Sequence, residues 1–291
     1  MKTLSLEAFH TKQFETVVFA GGGNRCWWQA GLVEGLTGSA LWTPTTFVGA
    51  SAGAGIAVAA VTHKLRASLA AAVERFSRTP VNVEWSSLLK GQRPFVLPRI
   101  YPDWIQSFLS AADFQTLKAL PIEVRVAITR PIRFLPTTVS TAIALGLYST
   151  EKFWLRTLHN RLPHFFGLRS EHWVINQCAN VDEASTLLLA SGAAVPITPT
   201  HKVAGRAALD GGFYDNAPLP KTQPASGDIL VLLTRHKPDR PQIFESDGRV
   251  YLQPKSKVAV TNMDCTDPVG VQRTFDQGLM EAAELLERAR A

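Results

Sequence analysis

Three short glycine-containing segments hold the residues whose types and spacing suit chemistry. Gly49-Ala50-Ser51-Ala52-Gly53 has the form G-x-S-x-G. It follows a β-branched apolar run at 46–48 and precedes an alanine-rich stretch reaching about residue 62. A serine at a strand-to-helix turn is the setting of a nucleophile elbow. Gly49 and Gly53 permit a sharp turn, and Ser51 then stands at a helix N-terminus, where the dipole favours a developing alkoxide. The five-residue pattern is weak by itself. With glycine at about 7% of residues, roughly one chain in ten of this size contains it by chance.

The second segment is Gly21-Gly22-Gly23-Asn24-Arg25, directly after an apolar run at 16–20. Consecutive glycines let successive backbone N–H groups point into one concavity. A dinucleotide fingerprint beginning at Gly21 requires glycine at position 26, where this chain has Cys26. A phosphate loop requires a terminal Gly-Lys-Ser/Thr, which neither glycine segment has. An oxyanion hole, needing preorganised N–H donors, fits better. Arg25 either steers an anionic head group or braces the loop, and bracing is the expected role. The third segment, Asp210-Gly211-Gly212, puts a carboxylate at a strand end with two glycines that allow another backbone to approach it.

The elements that must position these groups follow an α/β pattern. Runs at 16–20, 46–48, 122–129, 203–209, 228–234 and 250–253 read as strands. Trp28, Leu32 and Leu36 recur every four residues, predicting a helix from Asn24, its expected N-cap. Further helices are expected to about 62, over 66–77, over 182–191 with Asp182 as cap, and from 269 to 290. Repeated strand–turn–helix units predict a parallel sheet. Residues 80–110 look different: Pro80, Pro94, Pro98 and Pro102 are expected to break long elements, amid much apolar surface. Residues 137–173 read as short helices with Phe153, Trp154, Phe165, Phe166 and Trp173, most of them expected in the core. With no internal repeat and no long linker, one domain over 1–291 is expected.

These residues and their order resemble the patatin-like phospholipase family. Its members carry G-G-G-x-Arg/Lys, then G-x-S-x-G, then D-G-G/A, as here at 21–25, 49–53 and 210–212. The run Leu189-Ala-Ser-Gly-Ala-Ala-Val-Pro196 resembles a further family segment, and Asn216-Ala217-Pro218 resembles the run after the aspartate. The resemblance is good over 16–62 and 182–235 and looser between 80 and 175. It implies a three-layer α/β/α fold with a central, mostly parallel sheet, and a lid or acyl groove at about 80–175. It also implies a Ser51–Asp210 dyad without a histidine, with an oxyanion hole from Gly21, Gly22, Gly23 and Arg25 joined by Ala52. The implied substrates are glycerophospholipids, lysophospholipids or neutral acyl esters, with no cofactor and no metal.

Two other readings stay open. Ser51, Asp210 and His236 stand in the chain order of an α/β-hydrolase triad, His236 being the histidine that follows Asp210. A lipid-binding member of the fold without turnover is the other, although such a protein is expected to lose the serine, the aspartate or the glycines.

Composition narrows the class. Hydrophobic residues make up 46% and charged residues 19% of the 291, which excludes an intrinsically disordered chain. Thirty basic against 24 acidic residues give a net charge of +6, spread along the chain. No nucleic-acid-binding motif accompanies it, so a solvated basic surface or attraction to anionic lipid head groups is expected. Cys26, Cys178 and Cys265 form no metal or disulfide pattern. Neither a signal peptide nor a membrane-spanning stretch is recognised, so a cytoplasmic protein with at most peripheral membrane contact is expected. The oligomeric state is not legible.

Overall fold

The alternation of apolar runs and helical repeats closes into a mixed sheet with helices on both sides. The computed structural model describes residues 1–40, 42–219 and 227–287. The strands are β1 (Lys2–Thr3), β2 (Phe14–Phe19), β3 (Thr46–Ala50), β4 (Glu123–Arg130), β5 (Arg169–Val174), β6 (His201–Val203), β7 (Arg206–Asp210), β8 (Asp228–Leu232), β9 (Ile243–Ser246) and β10 (Arg249–Leu252). The helices are α1 (Leu6–His10), α2 (Cys26–Leu36), α3 (Ala52–Val61), α4 (Leu65–Ser77), α5 (Leu97–Gln106), α6 (Ala111–Ala119), α7 (Thr137–Ser149), α8 (Leu162–Phe165), α9 (Val181–Ser191) and α10 (Pro268–Glu287). The strand order is β1-β9-β10-β8-β2-β3-β4-β7-β6, with β5 also paired to β4. The centre, β10-β8-β2-β3-β4, is parallel, and antiparallel pairs lie toward the flanks.

The apolar runs are explained by burial on both faces. Val17 and Phe19 of β2 enter the main core with α2, α3, α4, α9 and α10. Val18 and Ala20 enter a second core on the opposite face with Val48, Val231 and Tyr251, covered by chain around Leu158 and Ala217. A third, smaller cluster joins Ala144 of α7 to Leu168, Val195, Leu209 and Phe213. The result is the expected three-layer α/β/α arrangement around a mostly parallel sheet.

Several elements differ from the sequence reading. Asn24 does not cap α2. It lies in a 3-10 turn (Gly23–Arg25), and its side-chain amide donates to the Asp264 carbonyl at 2.5 Å. Asn180, rather than Asp182, caps α9, its Oδ1 accepting from the Glu183 N–H at 2.9 Å. The run at 203–209 is two strands, β6 and β7, joined at Ala204-Gly205, both at positive φ. Pro98 sits in the first turn of α5, where its missing N–H is not needed, and Pro102 lies inside that helix. Burial of Ile100, Trp104 and Ile105 stabilises α5 despite the lost backbone hydrogen bond. Strand β5 lies inside the stretch read as helical, because pairing with β4 overrides local preference there. The expected final helix is α10, and residues 288–290 of that expectation lie outside the described residues. Core packing fails for Phe153, Trp154, Phe165 and Phe166, which are exposed.

The tightest helix contact is between α2 and α10. A Cβ on Gly31 would lie 1.9 Å from the Phe275 carbonyl oxygen, so only glycine permits this approach. Gly31→Ala is expected to force the two helices apart, at a cost of about 1–3 kcal/mol. Urea unfolding of the purified variant, with an unchanged m value and a lower midpoint, is the expected result.

Candidate active site

Ser51 occupies the turn between β3 and α3. Its backbone sits at φ 54° and ψ −137°, a region that non-glycine residues rarely adopt, at a cost of about 1–3 kcal/mol. The flanking glycines explain why the turn closes. A Cβ on Gly49 would lie 2.5 Å from the Ala54 Cα, and one on Gly53 would lie 2.7 Å from the carbonyl oxygens of Phe19 and Ala20. Ser191, at the end of α9, holds the turn from outside. The Ser51 N–H donates to Ser191 Oγ at 2.9 Å, and that hydroxyl donates to the Ala127 carbonyl at 2.6 Å. The elbow is thereby tied to β4, the strand next to its own.

Asp210 ends β7, opposite Ile128 of β4, with its N–H donating to the Ala193 carbonyl at 2.8 Å. Its carboxylate meets the Ser51 hydroxyl and accepts the Gly212 N–H at 2.7 Å. Burial pushes its pKa up to about 6, against the opposing effect of those two hydrogen bonds. Thr129 sets the following turn: its hydroxyl lies 3.3 Å from the Gly211 carbonyl and accepts the Tyr214 N–H at 3.1 Å.

The glycine loop after β2 is anchored on three sides. The Asn216 amide donates to the Gly21 carbonyl at 2.9 Å, and the Gly21 N–H donates to the Asn216 carbonyl at 2.7 Å. The Thr234 hydroxyl donates to the same Gly21 carbonyl at 3.0 Å. The expectation that Gly21 serves as an oxyanion donor therefore fails, because its N–H is already occupied. No hydrogen bond engages the N–H groups of Gly22, Gly23 or Ala52 among the described residues. Arg25 lines the adjoining cleft with its Nε buried and unpartnered, so no hydrogen bond at that atom braces the loop. Burial and the neighbouring Arg235 lower its pKa.

The three segments line one cleft of about 420 Å³. Ser51, Ala52, Asp210, Gly212, Gly22 and Gly23 are in its polar lining, while Ile56, Phe76, Leu97, Ile100, Trp104 and Ile197 are among its apolar walls. That size and lining suit an apolar ligand with few polar contacts. Cys26 also borders the cleft, but burial pushes its thiol up to about 12, and its Sγ faces the Ala20 carbonyl.

A model of the patatin-like phospholipases matches residues 17–221, more than half of the chain. This chain belongs to the patatin-like phospholipase family. No match is found among curated proteins. Among solved structures, the crystal structure of VipD from Legionella pneumophila is similar at 11% identity and a TM-score of 0.46, over 95% of this chain and 67% of that one.

Membership of the patatin-like phospholipases places this chain in a lipid hydrolase family, and the histidine of the alternative triad lies apart from its cleft. His236 does not line it; its Nδ1 lies 2.9 Å from the Pro254 carbonyl. Sequence order put His236 after Asp210, but the chain carries it away beyond β8. Among the described residues, no cluster of three His, Cys, Asp or Glu side chains is placed to hold a metal. The roles of Ser191 and Thr129 were not legible, although Ser191 lies in the 189–196 run, since a hydroxyl's bond to distant backbone leaves no pattern in sequence. Tyr101 was equally silent: it lines the cleft from α5, stacked on Trp104 at 5.3 Å, with its hydroxyl buried and unpartnered.

Two stability experiments follow from this geometry. Ser191→Ala leaves the Ser51 N–H and the Ala127 carbonyl without their partner, and is expected to cost about 1–3 kcal/mol in urea unfolding. Asp210→Asn is expected to do the reverse at neutral pH. The folded pKa of Asp210 lies above its unfolded value, so its stability contribution is complete below about pH 4 and is lost as pH rises through about 6. Above that, the buried charge costs on the order of 2 kcal/mol once solvent in the cleft is allowed for. Thermal melts of both proteins from pH 4 to 8 should therefore show the Asn variant gaining over the parent as pH rises.

Proposed function

We propose that this chain is a serine lipid acyl hydrolase of the phospholipase A or lysophospholipase type, working through a Ser51–Asp210 dyad. One observation carries the reading: the hydroxyl of Ser51, whose backbone is strained, meets a buried carboxylate beside unengaged N–H groups in a mostly apolar cleft. Ser51 Oγ attacks the ester carbonyl carbon while Asp210 takes its proton. A carboxylate with a pKa near 6 is a better base at neutral pH than one near 4. The carbonyl oxygen becomes an oxyanion, stabilised by the N–H groups of Gly22, Gly23 and Ala52. Collapse breaks the ester C–O bond, and protonated Asp210 returns its proton to the leaving alcohol. Water, deprotonated by Asp210, then attacks the acyl-enzyme and releases the fatty acid with Ser51 restored.

In this reading the chain acts as one domain over 1–291, and residues 80–175 build part of the acyl site. Leu97, Ile100 and Trp104 of α5, with Thr141, Leu145 and Tyr148 of α7, already supply cleft walls. The apolar lining favours a fatty acyl chain, and the family favours a phospholipid or another acyl-ester lipid.

The test is release of p-nitrophenol from medium-chain esters and of fatty acid from phospholipid vesicles. Ser51→Ala and Asp210→Asn are expected to lower kcat by at least about a thousandfold. His236→Ala is expected to keep nearly full activity. Since the base must be unprotonated, kcat/KM should rise with pH and level off above about 6, falling tenfold per unit below it. Loss of activity in the His236 variant, or a folded parent inert on both substrates, would sink the dyad.

A further inference from the structure

Residues 133–169 have a surface unlike the rest of the molecule. Of the seventeen exposed large apolar side chains among the described residues, nine fall between Phe134 and Phe166. Phe134, Trp154 and Phe165 are 88%, 86% and 79% exposed, with Phe153 and Phe166 also open to solvent. A monomer surface rarely leaves so many aromatic rings in water without a use for them.

Charge in this stretch runs one way. Arg133, Lys152, Arg156, Arg161 and Arg169 are its cations, and Glu151 is its acid. Glu151 is fully buried, its carboxylate taken up by the N–H groups of Arg161 and Leu162 and by the Thr157 hydroxyl. From outside the stretch, Asp239 approaches Arg156 to 3.9 Å. The cations are interleaved with the rings. The Arg133 guanidinium lies over Phe134 at 4.6 Å, and that of Arg235, from the chain just after β8, over Phe153 at 5.6 Å.

This face also borders the cleft. Leu145 of α7 is half exposed and lines the cleft, as do Thr141 and Tyr148 of the same helix. Helix α7 continues into a π-helical turn, Thr150–Trp154, and packs on α8, which carries Phe165. One helix thus joins the apolar cleft wall to the aromatic, basic surface.

We propose that residues 133–169 form the face that seats this protein on an anionic lipid bilayer, with the mouth of the Ser51 cleft turned toward the membrane. The aromatic rings enter the boundary between head groups and acyl chains, while Arg133, Arg156, Arg161 and Arg169 meet anionic head groups. Charge complementarity selects the bilayer as occupant: a second copy of this chain would bring the same cations against themselves. The purpose of the face rests on the hydrolase reading, but its existence is tested without turnover.

The experiment uses the full chain carrying Ser51→Ala, co-sedimented with vesicles of phosphatidylcholine alone or with added phosphatidylglycerol. Binding is expected to be stronger on the anionic vesicles and to weaken at high salt. In that background, Phe153→Ser/Trp154→Ser and Phe165→Ser/Phe166→Ser are each expected to lower affinity about tenfold or more. Arg156→Gln and Arg161→Gln should each cost about fivefold on anionic vesicles, and much less on neutral ones. Trp85→Ser/Leu89→Ser removes exposed apolar groups elsewhere and is expected to bind like the parent. Circular dichroism checks that each variant is folded. Failure of the parent to bind anionic vesicles would overturn the proposal. So would equal loss in the Trp85/Leu89 variant, or a solution dimer that the Phe153/Trp154 variant dissociates. Turnover of soluble esters by the unmodified protein is read separately, so an inert enzyme and a misplaced membrane face give different results.

Discussion

A serine held at φ 54° and ψ −137° is the constraint around which the cleft is arranged. Such a conformation persists only when its surroundings over-determine it. Here the determinants are structural and local to the sheet. Gly49 and Gly53 let β2, β3 and α3 approach closely, and Ser191 bridges the Ser51 N–H to the Ala127 carbonyl. The Ala54 N–H, in the first turn of α3, donates to the Ser51 carbonyl at 3.0 Å, and the all-apolar α3 buries itself in the core behind.

The same logic governs the carboxylate. Asp210 is placed by pairing of β7 with β4, the strand whose Ala127 carbonyl anchors Ser191. Serine turn and aspartate turn are therefore referenced to neighbouring residues of one strand, which makes their separation a property of the sheet. The glycine loop is referenced to the aspartate turn through Asn216, whose backbone and amide both bond to Gly21. Three segments far apart in sequence thus share one rigid frame. Burial in that frame raises the pKa of Asp210, and the accompanying desolvation makes its charge costly.

The cleft divides the molecule by chemical character. Its polar lining comes from the turns after β2, β3 and β7, and its apolar walls come from α3, α4, α5, α7 and the chain after α9. The walls from α5 and α7 belong to the stretch that sequence patterning described least well. Proline-containing α5 is ordered because its apolar side chains find a core to enter. The aromatic side chains after α7 find none, and remain in solvent.

What the sequence determined by itself was the three glycine-bearing turns and the scaffold that carries them. Glycine triplets and pairs after β-branched runs mark turns that few other residues permit, so the loop, the elbow and the aspartate turn were legible at 21–25, 49–53 and 210–212. Continuous apolar strands alternating with helices announced a parallel sheet; its five central strands are parallel, while the flanking pairs are antiparallel. Tertiary structure decided what depends on distant partners. That Gly21 has no free N–H, that Ser191 braces the elbow and that His236 faces Pro254 are consequences of long-range pairing. β5 appeared within a stretch read as helical for the same reason, whereas the cap of α9 moved to Asn180 through a local bond to the Glu183 N–H. Local pattern encodes backbone preference and burial; which hydroxyl, carbonyl or ring meets which is settled only when the chain closes on itself.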